Sequence, residues 1–255
     1  MTGPSVRFAG VSKSYDGGAT EAVSGVDLTI EAGSFVALVG ESGSGKSTLL
    51  KTVNRLIEPS AGAVSIDDKP VEGEEPARLR RHIGYVFQNI GLFPHMTVAE
   101  NIGIVGRLEQ GVMTNDIGDL LDLVDLPRDF AARLPAELSG GQQQRVGFAR
   151  ALAGEPGLML MDEPFGALDP VTRDQLGEAY RALHDRLGLT TILVTHDMAE
   201  ALLLADRILV MHQGRIVADE TPQALFGGAS GDVARALMAV PKRQIEKLGR
   251  LGEER

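Results

Sequence analysis

Eight consecutive residues, Gly40-Glu41-Ser42-Gly43-Ser44-Gly45-Lys46-Ser47, meet every fixed position of the pattern G-x-x-x-x-G-K-[ST]. Gly40, Gly43 and Gly45 let the backbone approach a phosphate closely, and the N–H groups of such a loop converge on an anion at a helix N-terminus. Lys46 is spaced to reach β- and γ-phosphates, and the hydroxyl of Ser47 to bind Mg²⁺. Further along, four apolar residues, Leu158 to Met161, deliver Asp162 and Glu163 to a strand end. Asp162 then supplies a carboxylate for the metal through water. Glu163, one residue nearer the γ-phosphate and free of metal duty, is the candidate general base for an attacking water. His196 closes the apolar run Ile192 to Thr195, where its ring can sense a γ-phosphate by a hydrogen bond. Gln88 ends another strand, placed to touch the metal and to act as a hinge. The remaining histidines, His82, His95, His184 and His212, stand in polar or loop surroundings with no catalytic role expected.

A second anion site lies in Leu138-Ser139-Gly140-Gly141-Gln142. Ser139 reads as an N-cap, and the two glycines expose N–H groups at the start of a helix running to Ala153. Two phosphate-binding helix ends in one chain make sense if the second serves a nucleotide held by a different chain. Two such chains would sandwich two ATP molecules, each between one Lys46 loop and the other chain's Ser139 helix end.

These residues need a scaffold that brings strand ends together. Short apolar runs bounded by Gly, Pro, Asn and Asp predict strands at Val6–Phe8, Asp27–Ile30, Phe35–Val39, Ile83–Phe87, Leu158–Met161, Thr191–Thr195 and Ile208–Met211. Several are continuously apolar, which suits a parallel sheet covered on both faces in an α/β protein. Helices are predicted over Lys46–Leu56 and from Pro170, where Leu176, Tyr180, Leu183 and Leu187 recur at helical spacing. From about 89 to 154 the periodicity is helical with no strand, as in a helical subdomain inserted into an α/β core. The expected division is a domain over 1–240 and a charged tail over 241–255, a solvated terminal helix or frayed end.

Composition narrows the function. Twenty-five Lys and Arg against 35 Asp and Glu give a net charge of −10, which argues against nucleic acid as a partner. The absence of cysteine excludes disulfides, thiolate nucleophiles and Cys-ligated metals. No secretory signal opens the chain, and no apolar run approaches the roughly 20 residues needed to span a bilayer, so a membrane connection is expected through a partner.

The sequence resembles the ATP-binding cassette ATPases, the motor subunits of ABC transporters. Their signature L-S-G-G-Q stands intact at Leu138 to Gln142. The other family elements follow in order: Tyr15 at the position that stacks on adenine, the Walker A loop Gly40 to Ser47 with Thr48 after it, and Gln88 of the Q-loop. Then come the Walker B Asp162 and Glu163, Ala167-Leu168-Asp169 of the D-loop, and His196 of the switch. The match covers about residues 5 to 240. The resemblance implies a P-loop NTPase (RecA-like) α/β core with an antiparallel β edge and an inserted helical subdomain. It implies ATP and Mg²⁺ as cofactors, with the metal at Ser47, Gln88 and Asp162, and catalysis by Glu163, His196 and Gln88. It also implies that Ser139, Gly140, Gly141 and Gln142 meet the ATP of a second cassette, with a homodimer expected. The further partners are transmembrane permease subunits and, indirectly, an extracytoplasmic solute-binding protein, with the chain peripheral on the cytoplasmic face of the cell membrane.

The stretches Asn54 to Pro59, Ile83 to Gln88, Ile90 to Val98 and Phe165 to Arg173 are similar to importer ATPases for quaternary amines such as glycine betaine and choline. Members of that group often carry paired CBS domains; some forty residues follow Met211, too few for that module. An importer ATPase for an amino acid, a sulfonate or a polyamine stays open. A soluble ABC protein of DNA repair or translation, or a non-hydrolysing scaffold, fits less well, because there is one P-loop, no long heptad run, and both Glu163 and His196 are present.

Overall fold

Continuous apolar strands bury both faces, and alternating ones bury a single face; both kinds occur here. The computed structural model describes residues 2–15, 18, 20–88, 90–108, 116–166, 168–228 and 231–253, the backbone alone at 107–108, 240 and 244–253. Along the chain come β1 (Val6–Tyr15), β2 (Thr20–Ile30), β3 (Phe35–Val39), α1 (Lys46–Val53), β4 (Ala61–Ile66), β5 (Lys69–Pro70), α2 (Pro76–Arg81) and β6 (Ile83–Val86). A helical stretch follows, with α3 (Val98–Ile102), α4 (Ile104–Leu108), α5 (Ile117–Leu123) and α6 (Gly140–Leu152). The core resumes with β7 (Leu158–Asp162), α7 (Pro170–Leu187), β8 (Thr190–Thr195), α8 (Met198–Leu204), β9 (Arg207–His212), β10 (Arg215–Glu220), α9 (Pro222–Gly227) and α10 (Asp232–Glu253).

One sheet has the order β10-β9-β3-β8-β7-β6, parallel except for the β10–β9 pair. β3, β7 and β8 are buried at every residue. Their side chains divide by the two-residue period of a strand. Phe35, Ala37, Val39, Met159 and Met161 enter a core shared with α6, α7 and α8. Val36, Leu38, Leu158 and Leu160 enter a second core. That second core is closed by α1 and by an antiparallel sheet of order β2-β1-β4-β5. In β2 exposure alternates, with Val26, Leu28 and Ile30 buried and Asp27 and Thr29 exposed. Burying one such Leu, Ile or Phe side chain contributes about 1.5–3 kcal/mol, so the two faces of β3 tie both layers together.

Expected elements and observed ones differ at their ends. The helix from Lys46 stops at Val53 rather than Leu56, with Asn54 as its C-cap; the strand from Ile83 stops at Val86 rather than Phe87. β1 and β2 extend well beyond the short runs Val6–Phe8 and Asp27–Ile30 that predict them, and β4, β5 and β10 have no counterpart in the expected strands, because their polar faces interrupt the apolar run. Between 90 and 154 the described residues contain helices and turns and no strand. α10 runs through Pro241, so no break in secondary structure falls at 240. Asn89 at the start of the insert, and Ala167, lie outside the described residues. Among the described residues no helix is long and apolar enough to cross a membrane.

Candidate functional site

The parallel sheet sends the C-terminal ends of β3, β6, β7 and β8 to one edge, where open α/β sheets hold their ligands. β3 leads into residues 40–45, a loop with two conformational demands. Gly40 has φ 151°, and a Cβ there would lie 2.1 Å from the Met211 carbonyl oxygen. Gly45 has φ 105°, and its Cβ would lie 2.1 Å from the Ala22 carbonyl oxygen. Only glycine fits either position. The loop wraps Lys46, whose ammonium donates to the carbonyls of Gly40 and Glu41 at 2.8 Å each. Burial holds that ammonium below the usual lysine range, opposed by the charges of Glu163 and Asp162.

One turn into the site, Ser47 Oγ donates to Asp162 Oδ1 at 2.6 Å, joining the start of α1 to the end of β7. These are two hard oxygens one hydrogen bond apart, a donor set that suits Mg²⁺, which takes few protein ligands and completes its shell with phosphate and water. The other oxygen of Asp162, Oδ2, is 3.0 Å from Lys51 Nζ and 3.5 Å from the Tyr85 hydroxyl, which donates to it. Burial, and then the Asp162 charge, pushes the Tyr85 phenol well above its ordinary value, so it stays a donor.

Glu163 has φ 49°, a left-handed conformation costing about 1–3 kcal/mol for a non-glycine residue. Its N–H donates to the Val194 carbonyl at 2.9 Å, continuing the β7–β8 ladder one residue past Asp162. Its carboxylate has partners of its own, distinct from those of Asp162. Gln88 Nε2 donates to Glu163 Oε2 at 3.1 Å, and His196 Nδ1 lies 3.4 Å from the same oxygen. Gln88 and His196 are exposed while Glu163 is half-buried. Three segments far apart in sequence, 47–51, 85–88 and 194–196, thus surround two adjacent carboxylates.

The other expected positions lie at element ends. Ser139 caps α6 in a capping box: its hydroxyl accepts from Gln142 N–H at 3.3 Å, and its own N–H donates to Gln142 Oε1 at 2.9 Å. Gly140 is exposed, and a Cβ there would meet nothing within 4 Å. Asp169 caps α7, and hydrogen bonds from the Thr172 hydroxyl and N–H hold its carboxyl below the usual range. Tyr15 ends β1, 39% exposed, with Lys13 Nζ 5.4 Å from its ring centre. His184 departs from the expected polar surroundings: it is buried in α7, 2.9 Å from Thr191 Oγ1 and beside the Phe35 ring.

Sequence reasoning passed over several residues. Lys51 stands four residues after Ser47, on the same face of α1, a spacing that was available. Arg150, near the end of α6, donates to the carbonyls of Ile90 and Gly91 at 2.8 Å each. Fully buried Asn101 ties Phe93, Met96 and Thr97 through their backbones. Both anchor the segment that follows Gln88 to helices of the insert. Arg173 donates to the Leu168 carbonyl and to Asp197, linking the segments that carry Asp169 and His196. Arg150 and Asn101 carried no motif, since each serves the backbone of another segment, and Arg173 stood in a recognised stretch without a role of its own.

A family model described as "ABC transporter" matches residues 23–166. The chain is 52% identical over 224 residues to the carnitine transport ATP-binding protein OpuCA of Listeria monocytogenes serotype 1/2a (strain 10403S), covering 87% of this chain and 56% of that protein. It thus spans little more than half of that relative's length. It is 44% identical over 233 residues to the glycine betaine uptake system ATP-binding protein YehX of Escherichia coli (strain K12), 90% of this chain and 75% of that one. Among solved structures, the dimeric ATP-binding cassette MJ0796 in a post-hydrolysis state bound to ADP and Pi superposes with a TM-score of 0.78 at 34% identity, covering 85% of this chain and 98% of that one. A match over more than half of the sequence, joined to relatives this close, means that this chain belongs to the ABC transporter family.

Proposed function

We propose that the chain is the ATP-hydrolysing subunit of an ABC importer that takes up a quaternary-amine osmoprotectant. The observation that carries the chemistry is the convergence of Gln88 and His196 on Glu163 Oε2 beside the Asp162–Ser47 pair. In this reading the 40–45 backbone and Lys46 hold the phosphates, and Tyr15 offers its ring face to adenine. Glu163 orients the attacking water and takes its proton, while His196 donates to the γ-phosphate region and Gln88 keeps Glu163 in place. Ser47, Asp162 and Gln88 would hold Mg²⁺, which would supply charge neutralisation for the phosphates as hydrolysis proceeds.

Ser139, Gly140, Gly141 and Gln142 then meet the nucleotide of a second cassette, as the dimeric arrangement of the MJ0796 cassette supports. Permease subunits are the membrane partners, and through them a solute-binding protein outside; the chain is peripheral on the cytoplasmic face. Support for the permease contact is a groove of about 470 Å³ lined by Leu56, Phe87, Phe93, Ile104 and Arg150, in which Leu56, Phe87 and Phe93 are each more than two-fifths exposed. Solute class rests on relatives named for carnitine and glycine betaine. The test is co-purification of membrane partners with the full chain, followed by uptake into proteoliposomes. ATP-dependent uptake of betaine, choline or carnitine supports the reading. Uptake of an amino acid instead corrects the solute, and absence of any ATP hydrolysis overturns the whole.

A further inference from the structure

Asp162 is 1% exposed, so its charge must be compensated inside the protein. The two oxygens have separate partners. Oδ1 accepts from Ser47, and Oδ2 is held by Lys51 at 3.0 Å with Tyr85 behind it at 3.5 Å. Ser47 and Lys51 are one turn apart on α1, so a single helix face addresses both sides of the carboxylate. Lys51 keeps a third of its side chain exposed, its stem reaching inward and its charge fixed on Oδ2. A divalent cation bound beside Oδ1 and Ser47 Oγ must sit in the field of that ammonium, in a site where salt screens poorly.

We propose that Lys51 is a positioning residue with two effects on the metal site. It fixes Asp162 through Oδ2 so that Oδ1 faces Ser47, and its charge keeps the hold on Mg²⁺ weak enough for release with product. When the metal leaves, Lys51 remains as the counter-ion that a buried carboxylate requires. The inference rests on the nucleotide-binding reading above.

A binding experiment tests it without turnover. The affinity of a fluorescent N-methylanthraniloyl ADP is measured on the full chain in excess Mg²⁺ and in EDTA, and the ratio of the two reports the metal's contribution. Lys51→Gln, which removes only the charge, should raise that ratio about tenfold, and Lys51→Met, which also frees Asp162 Oδ2, should raise it less, with affinity in EDTA unchanged within about threefold for both. Lys51→Arg, which keeps the charge, should hold the ratio within about threefold of the wild type. The Gln variant retains a donor to Oδ2 without the charge, so it separates charge from hydrogen bonding and decides the matter if the Met variant fails to fold. A ratio unchanged or lowered in the Gln variant overturns the role of Lys51. Failure of the wild type to bind ADP at all overturns instead the reading of the site.

Discussion

Gln88 and Glu163, 75 residues apart, are joined by a hydrogen bond from Gln88 Nε2 to Glu163 Oε2 at 3.1 Å. The same oxygen faces His196 Nδ1 at 3.4 Å. Both neighbours crowd one oxygen and leave Oε1 for other work, which is the asymmetry a general base needs: one oxygen anchored, one available to a water. The anchor also joins the core to the insert. Gln88 is bonded to β7's end, whereas Ile90 and Gly91, just after it, are bonded to Arg150 on α6.

Glu163→Gln keeps the size of the side chain and removes its basicity. Hydrolysis should fall by about 10²–10⁴-fold, the usual worth of a general base. ATP binding should persist, because Lys46, Ser47 and the 40–45 backbone are untouched. Single-turnover assays with radiolabelled ATP, alongside nucleotide-binding isotherms, check both halves, and unchanged turnover removes Glu163 from the role.

Lys46→Ala should weaken ATP binding at least about tenfold, since a buried phosphate contact is worth more than about 1.4 kcal/mol. The lysine also bonds the carbonyls of Gly40 and Glu41. Its loss therefore frees two loop acceptors as well, and residues 40–45 should gain backbone hydrogen exchange in the absence of nucleotide. Wild-type ATP affinity in this variant would refute the phosphate role.

The loop, the carboxylate pair and the capped α6 were legible because each packs its chemistry into a few contiguous residues. The parallel strands were legible as well, since burial on both faces leaves Phe35 to Val39 and Leu158 to Met161 without a polar interruption. β4 and β10 were not, because one face of each is wet and Gly62, Ser65, Asp219 and Glu220 dilute the pattern. Lys51, Arg150 and Asn101 were hidden for another reason. Their partners are a carboxylate 111 positions away, the carbonyls of Ile90 and Gly91, and the backbone of Phe93, contacts that only the tertiary fold creates.

His184 sets a pH dependence of stability. Burial foremost, then the Arg181 charge, lowers its pKa below the ordinary 6.5. The unfolded chain therefore takes up a proton that the folded chain refuses. The stability this gives is complete above about 6.5 and is lost as pH falls through the folded value, at up to about 1.4 kcal/mol per pH unit. His184→Phe keeps a ring beside Phe35 and cannot titrate. Urea unfolding from pH 7.5 down to about 5 should show a shallower decline in the variant than in the wild type. Parallel declines would show that His184 does not contribute.

Ser139→Arg separates folding from assembly. Ser139 is exposed, and its hydroxyl serves α6 through the capping box, so the substitution costs about 1 kcal/mol of cap energy. A domain of this size should survive that loss. The larger consequence lies outside the chain: an exposed helix N-terminus flanked by Gly140 and Gly141 offers N–H groups to an anion, and a guanidinium placed there blocks a second cassette's nucleotide from reaching them. In a Glu163→Gln background, ATP should drive dimers of the parent and leave the Ser139→Arg variant monomeric, with ATP binding to each monomer unchanged. Because the native chain has no cysteine, paired cysteines introduced at the expected interface report closure without background. Cross-linking that proceeds at the parent's rate would place the closed interface elsewhere on the molecule.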